Sequence, residues 1–235
     1  MKGLSFERKQ AIYAGLSIVI MAVIAMFIMG IVFQPLFKMD KDHLAAIIAH
    51  NKIEFLLGTV GWLLILICDI IAAIALYNIY KVDNQKKTFW MAGARLVYSG
   101  ILTFAIIKLI TVFVLINGEN VSSQQVYDTL QGFKNSWHFG LITFGFHLIL
   151  LATLVCKKRS VLMFISVLLL FAGIGYVGSN TANLFIDNYE QFRSNVEAVF
   201  IIPMIFGELG LAIWLLIRGG NPARLKKKQF AYESC

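Results

Sequence analysis

Read as apolar and polar positions, the chain is a series of blocks. Runs of about twenty mostly apolar residues alternate with shorter polar stretches. About twenty is the length an α-helix needs to cross roughly 30 Å of hydrocarbon. Six blocks are predicted to span a membrane, at residues 11–33, 54–80, 88–116, 136–156, 161–180 and 197–217. The predicted fold class is an all-α membrane protein, a single six-transmembrane-helix bundle with a basic tail over 218–235. The first block follows Arg8-Lys9 and has the flank of a signal peptide. Its apolar run is too long for a typical h-region, no small-x-small cleavage site follows, and Gln34-Pro35 ends it. It is expected to be a retained span.

The connections are of two kinds. KVDNQKK and KKRS are short, which predicts that spans two and three, and four and five, are antiparallel neighbours. The other three loops are longer and contain DHLAAIIAHN, SSQQVYDTLQGF and NTANLFIDNYEQF. Each stretch is amphipathic and is expected to form a short helix on the outer face.

Composition agrees: 59% of the 235 residues are apolar, 14% are charged, and the mean hydropathy is +0.75. A net charge of +8 raises the question of nucleic acid, but its distribution excludes that class. Fourteen Lys and Arg residues flank the spans on one side and five on the other, with Arg95 and Lys108 inside the third span. Such asymmetry is a topology signal and predicts cytoplasmic N- and C-termini. No basic face with interleaved aromatics, as single strands require, is present. The predicted partner is the lipid bilayer, with the tail ARLKKKQ held at an anionic leaflet. Cys68, Cys156 and Cys235 make an odd count, read as free thiols without a disulfide framework.

Within the blocks, four ionisable residues stand out. The second span carries Asp69, the third Arg95, the fourth His147 and the sixth Glu208. Counted inward from the cytoplasmic ends, they lie about 16, 10, 14 and 15 Å deep at 1.5 Å per residue. Buried charges in lipid are tolerated when paired, and they mark sites. One shared intramembrane polar cluster on four helices is therefore predicted. Arg95, Tyr98 and Ser99 fall at i, i+3, i+4, so Tyr98 and Ser99 are support candidates, as is Tyr80, which returns to the face of Asp69 at i+11. Ala72 and Ala73 beside Asp69 permit close helix approach. In the fifth span Tyr176, Ser179, Asn180 and Asn183 make a second polar stripe after the small-residue run AGIG, a candidate outer vestibule lining. Bundle-packing hydrogen bonds are the alternative. Lys108 is expected to snorkel outward or to pair with Glu54. His138 lies nine residues before His147 and points away from it, at the outer border.

FGFHLILLATLVCKK and FGELGLAIWLLIRGG both open on Phe-Gly, place an ionisable residue soon after and close on a basic border, a weak internal repeat. Parallel repeats occur in transporters.

FGELGLAIWLLIRG in the last span, FGFHLILL in the fourth, ARLVYSG in the third and CDIIAAIALYNIY in the second resemble the bacterial membrane family catalogued as domain of unknown function 4386. The resemblance covers roughly spans one to six, and the glutamate-containing signature is its most specific part. It implies a multi-pass protein of the bacterial inner (plasma) membrane and brings no activity.

Three functions fit these residues. The cluster transports or senses a polar small molecule or a proton; it is a purely structural ion-pair network; or it belongs to a membrane-embedded metal-dependent enzyme. Enzyme chemistry is the least supported. Asp69, His147 and Glu208 could form a two-carboxylate, one-His set, but no HExxH or i, i+4 His pair is present. Ser99 beside Arg95 has no placed base. Neither a metal nor a cofactor is predicted.

Overall fold

The computed structural model describes residues 4–118, 121–156, 161–186 and 189–220. The KKRS loop and the tail from residue 221, both used in the orientation count, lie outside the described residues. All regular structure among the described residues is helical: α1 (Phe6–Phe27), a π-helical turn (Ile28–Phe33), α2 (Gln34–Phe37), α3 (Lys41–His50), α4 (Lys52–Tyr80), α5 (Gln85–Leu115), α6 (Ser123–Val155), α7 (Val161–Phe185) and α8 (Glu190–Arg218). Six stretches are long and apolar enough to cross a membrane. The six-span bundle expected from the block pattern is the fold found.

The six spanning helices form a ring in chain order. α1 lies against α4, α4 against α5, α5 against α6, α6 against α7, α7 against α8, and α8 returns to α1. Side chains such as Phe104, Phe164 and Met26 face outward, about 70% exposed. In water so much apolar surface would drive aggregation; in lipid it is the solvated face.

The first span does not stop before Pro35. It runs to Phe37 by widening into the π turn, where the Gln34 N–H bonds to the Met29 carbonyl, and Pro35 then sits in the first turn of α2. Pro35, which has no N–H to give, is carried at this junction of π and α geometry. The π turn aims Phe33 inward, into a buried aromatic group with Phe55, Trp62 and Phe133.

Two of the three outer amphipathic stretches are not separate helices. DHLAAIIAHN is α3, with Leu44, Ala45 and Ile48 buried. SSQQVYDTLQGF is instead the first part of α6, unbroken through residue 155. Its apolar face of Val126, Leu130 and Phe133 is fully buried, α3 packs against this helix, and no proline interrupts it, so nothing ends the helix at the membrane border. NTANLFIDNYEQF is divided between the end of α7 and the start of α8. Lys108 makes no ion pair with Glu54 among the described residues. It lies along α6, its Nζ 3.2 Å from where a Cβ on Gly132 would stand.

Glycines set the closest approaches. A Cβ on Gly145 would stand 2.8 Å from the Gly173 carbonyl, and one on Gly173 the same distance from the Gly145 carbonyl. The AGIG run thus docks α7 onto α6, and Gly175 takes the Phe200 ring of α8 at 2.5 Å from its own virtual Cβ. Small residues suit this role because lipid provides no hydrophobic force between helices, leaving close van der Waals contact to hold them.

At the ring closure, Arg8 Nη1 donates to the carbonyls of Leu215 at 3.0 Å and Gly219 at 2.9 Å, and Nη2 donates to that of Leu216. These carbonyls lie at the C-terminal end of α8, where a cation also opposes the helix dipole. Gly220 has φ of +61° and lies against the Glu7 and Arg8 backbone, so no side chain fits.

Overpacking a well-filled contact costs about 1–3 kcal/mol. Gly145→Ala and Gly173→Ala should therefore each lower the thermal midpoint of the detergent-purified protein. Gly178→Ala, where a Cβ meets nothing within 4 Å, should leave the midpoint unchanged or raise it. Equal melting of all three would refute the close α6–α7 crossing.

Candidate functional site

Asp69 and Arg95 enter the ring from adjacent helices and meet directly. Arg95 Nη2 lies 2.7 Å from Asp69 Oδ1, with both side chains about 1% exposed. The second carboxylate oxygen, Oδ2, accepts from the Ser99 hydroxyl at 2.6 Å. Ser99 is one turn beyond Arg95, so a single face of α5 presents both the cation and the hydroxyl to one carboxylate. On α4, Ala72 continues the face of Asp69 and packs with Ile18 of α1 and Ala212 of α8. The two alanines, Ala72 and Ala212, let the helices approach closely beside the pair.

His147 of α6 completes the arrangement. Its Nε2 lies 3.0 Å from Arg95 Nη1, and its Nδ1 lies 2.9 Å from the Met91 carbonyl. A guanidinium only donates and a carbonyl only accepts. The ring must therefore carry its proton on Nδ1 and accept at Nε2, which makes it the neutral tautomer. Phe144, one turn before His147, lies under the guanidinium with its ring centroid 5.2 Å from Arg95 Cζ. It also contacts the rings of Tyr98, His147 and Tyr176 at 5.1, 5.6 and 5.5 Å between centroids. Met21 Sδ of α1 is 3.9 Å from Arg95 Nη2. Arg95 Nε is buried with no hydrogen-bond partner.

Glu208 stands beside this set, outside its direct contacts. It is half-buried on α8, hydrogen-bonds with Tyr176 of α7, and lies within electrostatic range of both Arg95 and Asp69. Of the four intramembrane residues, three touch and the fourth is reached through Tyr176 and Phe144. Gly207, next to Glu208, packs on the α7 backbone at Leu168 and Leu169, which presses this part of α8 onto α7.

The supporting residues separate. Ser99 is part of the pair's shell. Tyr98 is buried and hydrogen-bonded with Trp137, and Trp137 continues into Trp62, 5.2 Å between centroids. These rings cover the cluster on the side toward the first residues of α4 and α6. Tyr80 is buried at the end of α4, about 16 Å along the helix from Asp69 at 1.5 Å per residue, and it takes no part. In the outer stripe, Asn180 Oδ1 lies 2.8 Å from His138 Nδ1, Asn180 Nδ2 donates to the Tyr176 carbonyl at 2.8 Å, and the Tyr189 hydroxyl donates to Ser179 at 3.0 Å. These bonds tie α7 to α6 and to the start of α8. His138, expected at the outer border and turned away from His147, is 2% exposed within that network. Asn183 is half-buried at its far end.

Phe144, Met21, Met91 and Trp137 were absent from the sequence reading. Phe144 had a signal, its i, i+3 relation to His147. The Met91 carbonyl had none, because any backbone oxygen could have served. As a metal set, Asp69, His147 and Glu208 fit poorly. Both His147 nitrogens and both Asp69 oxygens are already engaged. Among the described residues no group of three His, Cys, Asp or Glu side chains is placed to hold a metal ion.

A family model described as Domain of unknown function (DUF4386) matches residues 13–219. An uncharacterized protein of Archaeoglobus fulgidus is 29% identical over 176 residues, which covers 75% of this chain and 92% of the relative. No solved structure matches.

Removing one partner of a buried ion pair costs about 3–5 kcal/mol, while replacing both by apolar residues is often neutral or better. Arg95→Leu alone should sharply reduce folded yield in detergent. Asp69→Leu with Arg95→Leu should recover most of it. A double variant as poor as the single one would show that Arg95 is needed for more than neutralising Asp69.

Proposed function

The chain belongs to the Domain of unknown function (DUF4386) family, whose description names no activity, and we propose from the site that it is a membrane protein in which Glu208 exchanges a proton or binds a small polar solute during sensing or transport. Asp69, Arg95, Ser99 and His147 form the fixed, dry lock around which it works.

One observation carries this reading: Glu208 is the single member of the four that stays half-buried and outside the ion pair. Arg95 is already matched by Asp69 at 2.7 Å, and His147 is neutral. An ionised Glu208 is thus a surplus negative charge, which a proton or a positively charged group of a solute would balance. The Tyr176 hydroxyl can donate to either oxygen of a carboxylate or to the carbonyl oxygen of the acid, so it supports both states. α8 also has the means to respond. Pro203 withdraws a backbone N–H five residues before Glu208 and removes one helical bond. Gly207 and Gly210 flank the carboxyl group, and with Pro203 they make a local bend at this point inexpensive.

The proposed setting is the bacterial inner (plasma) membrane with cytoplasmic termini. Its support is that Arg8, Lys9, Lys81, Lys86, Lys87 and Arg218 gather at the bundle end that carries the first residues of α1 and the last of α8. Positive charge is retained on the cytoplasmic side.

The purified protein in liposomes loaded with a pH-sensitive dye should change lumenal pH under an imposed gradient or with a panel of polar solutes. Glu208→Gln should abolish the change while leaving yield and melting as in the parent. If Glu208→Gln instead loses folded protein as Arg95→Leu does, the carboxylate is architectural and the proposal fails.

A further inference from the structure

The groove between α5 and α6 on the lipid-facing surface has a chemistry separate from the interior cluster. It has a volume of about 600 Å³ and is lined by Phe89, Trp90, Gly93, Val97, Phe146 and Leu150, with Lys86 and Lys87 at one end. Trp90, Gly93 and Val97 follow the i, i+3, i+7 spacing of one α5 face. The notch exists because Gly93 leaves the space open: a Cβ there would meet nothing within 4 Å.

We propose that this groove is a binding site for one anionic glycerophospholipid, its phosphate on Lys86 and Lys87 and one acyl chain along the notch. Charge and length both point to that occupant. The walls are almost wholly apolar, so the two ammonium groups provide the selectivity, and both are exposed in the first turn of α5, where the helix dipole also favours an anion. From Lys86 to Val97 is eleven residues, about 16 Å of helix at 1.5 Å per residue, close to one leaflet of a hydrocarbon core about 30 Å thick. A lipid with its head at the lysines would therefore place its chain end near Val97 and Thr143. Another groove, between α7 and α8, is smaller at about 340 Å³, and Arg218 is the basic residue among its described lining. It serves as the internal comparison.

Native mass spectrometry of the full chain, released from detergent micelles doped with dioleoyl phosphatidylglycerol or dioleoyl phosphatidylcholine, tests the site. One phosphatidylglycerol should be retained and phosphatidylcholine should not. Each lysine near an anionic group is worth about fivefold. Lys86→Gln with Lys87→Gln should therefore weaken phosphatidylglycerol retention about 25-fold. Gly93→Leu should weaken it too by filling the notch, at unchanged melting temperature, and Arg218→Gln should leave it as in the parent. Equal retention of the two lipids would overturn the proposal. So would full phosphatidylglycerol retention by the double lysine variant, or its loss with Arg218→Gln alone. If Gly93→Leu fails to fold, the exposed lysine variants decide the question by themselves.

Discussion

The structure depends on a carboxylate and a guanidinium meeting where water cannot reach them. An isolated Asp or Arg at a helix centre costs about 2.5–3.5 kcal/mol on insertion scales. Neither Asp69 nor Arg95 can turn away without leaving the other uncompensated. The 2.7 Å contact therefore fixes the rotation of α4 and α5 relative to each other. The same guanidinium then sets α6, because His147 must offer Nε2 to Arg95 and Nδ1–H to the Met91 carbonyl at once. It also reaches α1 through Met21. Four helices are positioned by one side chain, and none of the bonds needs water to be completed.

That saturation divides the polar cluster into unlike parts. A site that exchanges a ligand or proton must have unspent hydrogen-bonding capacity or charge, and the Asp69–Arg95–His147 set has little beyond Arg95 Nε. Glu208 has both. It lies on α8 five residues after Pro203 and beside Gly207 and Gly210, while Phe200 against Gly175 anchors that helix upstream. A charge change at Glu208 would act on a helix held near its start and at its end but free to bend between.

Much of this was legible from the chain alone, for reasons that differ residue by residue. Span number followed from block length, since the bilayer imposes that length on any helix that crosses it. The meeting of Asp69, Arg95 and His147 followed from depth: three ionisable groups at one level in lipid have few partners except each other. Ser99 followed from helical spacing. The continuation through Pro35 was not legible, because a π turn is chosen by tertiary demand for a buried Phe33 and leaves no local mark. The fusion of SSQQVYDTLQGF with its span was hidden for a related reason. Hydropathy reports where lipid ends, whereas a helix ends only where a cap or breaker ends it. Tyr80 illustrates the limit of face arguments, since it shares Asp69's face but lies three turns away.

Ring closure brings these threads together. Between α1 and α8 lipid supplies no hydrophobic drive, as its tails are as apolar as the helices. The seam must be held by close packing or by polar bonds, and it uses both. Gly15 admits Ala212 and Leu216, with a virtual Cβ 2.8 Å from the Ala212 carbonyl, and Arg8 binds the carbonyl end of α8. An arginine at the membrane border can do this because its head stays near water while its stem lies along apolar surface. The consequence reaches the cluster. With α8 clasped at one end by a surface cation, Glu208 lies about 15 Å inward, ten residues at 1.5 Å each. Any movement that Glu208 drives therefore falls between two fixed points of α8, the Phe200 contact and the Arg8 clasp.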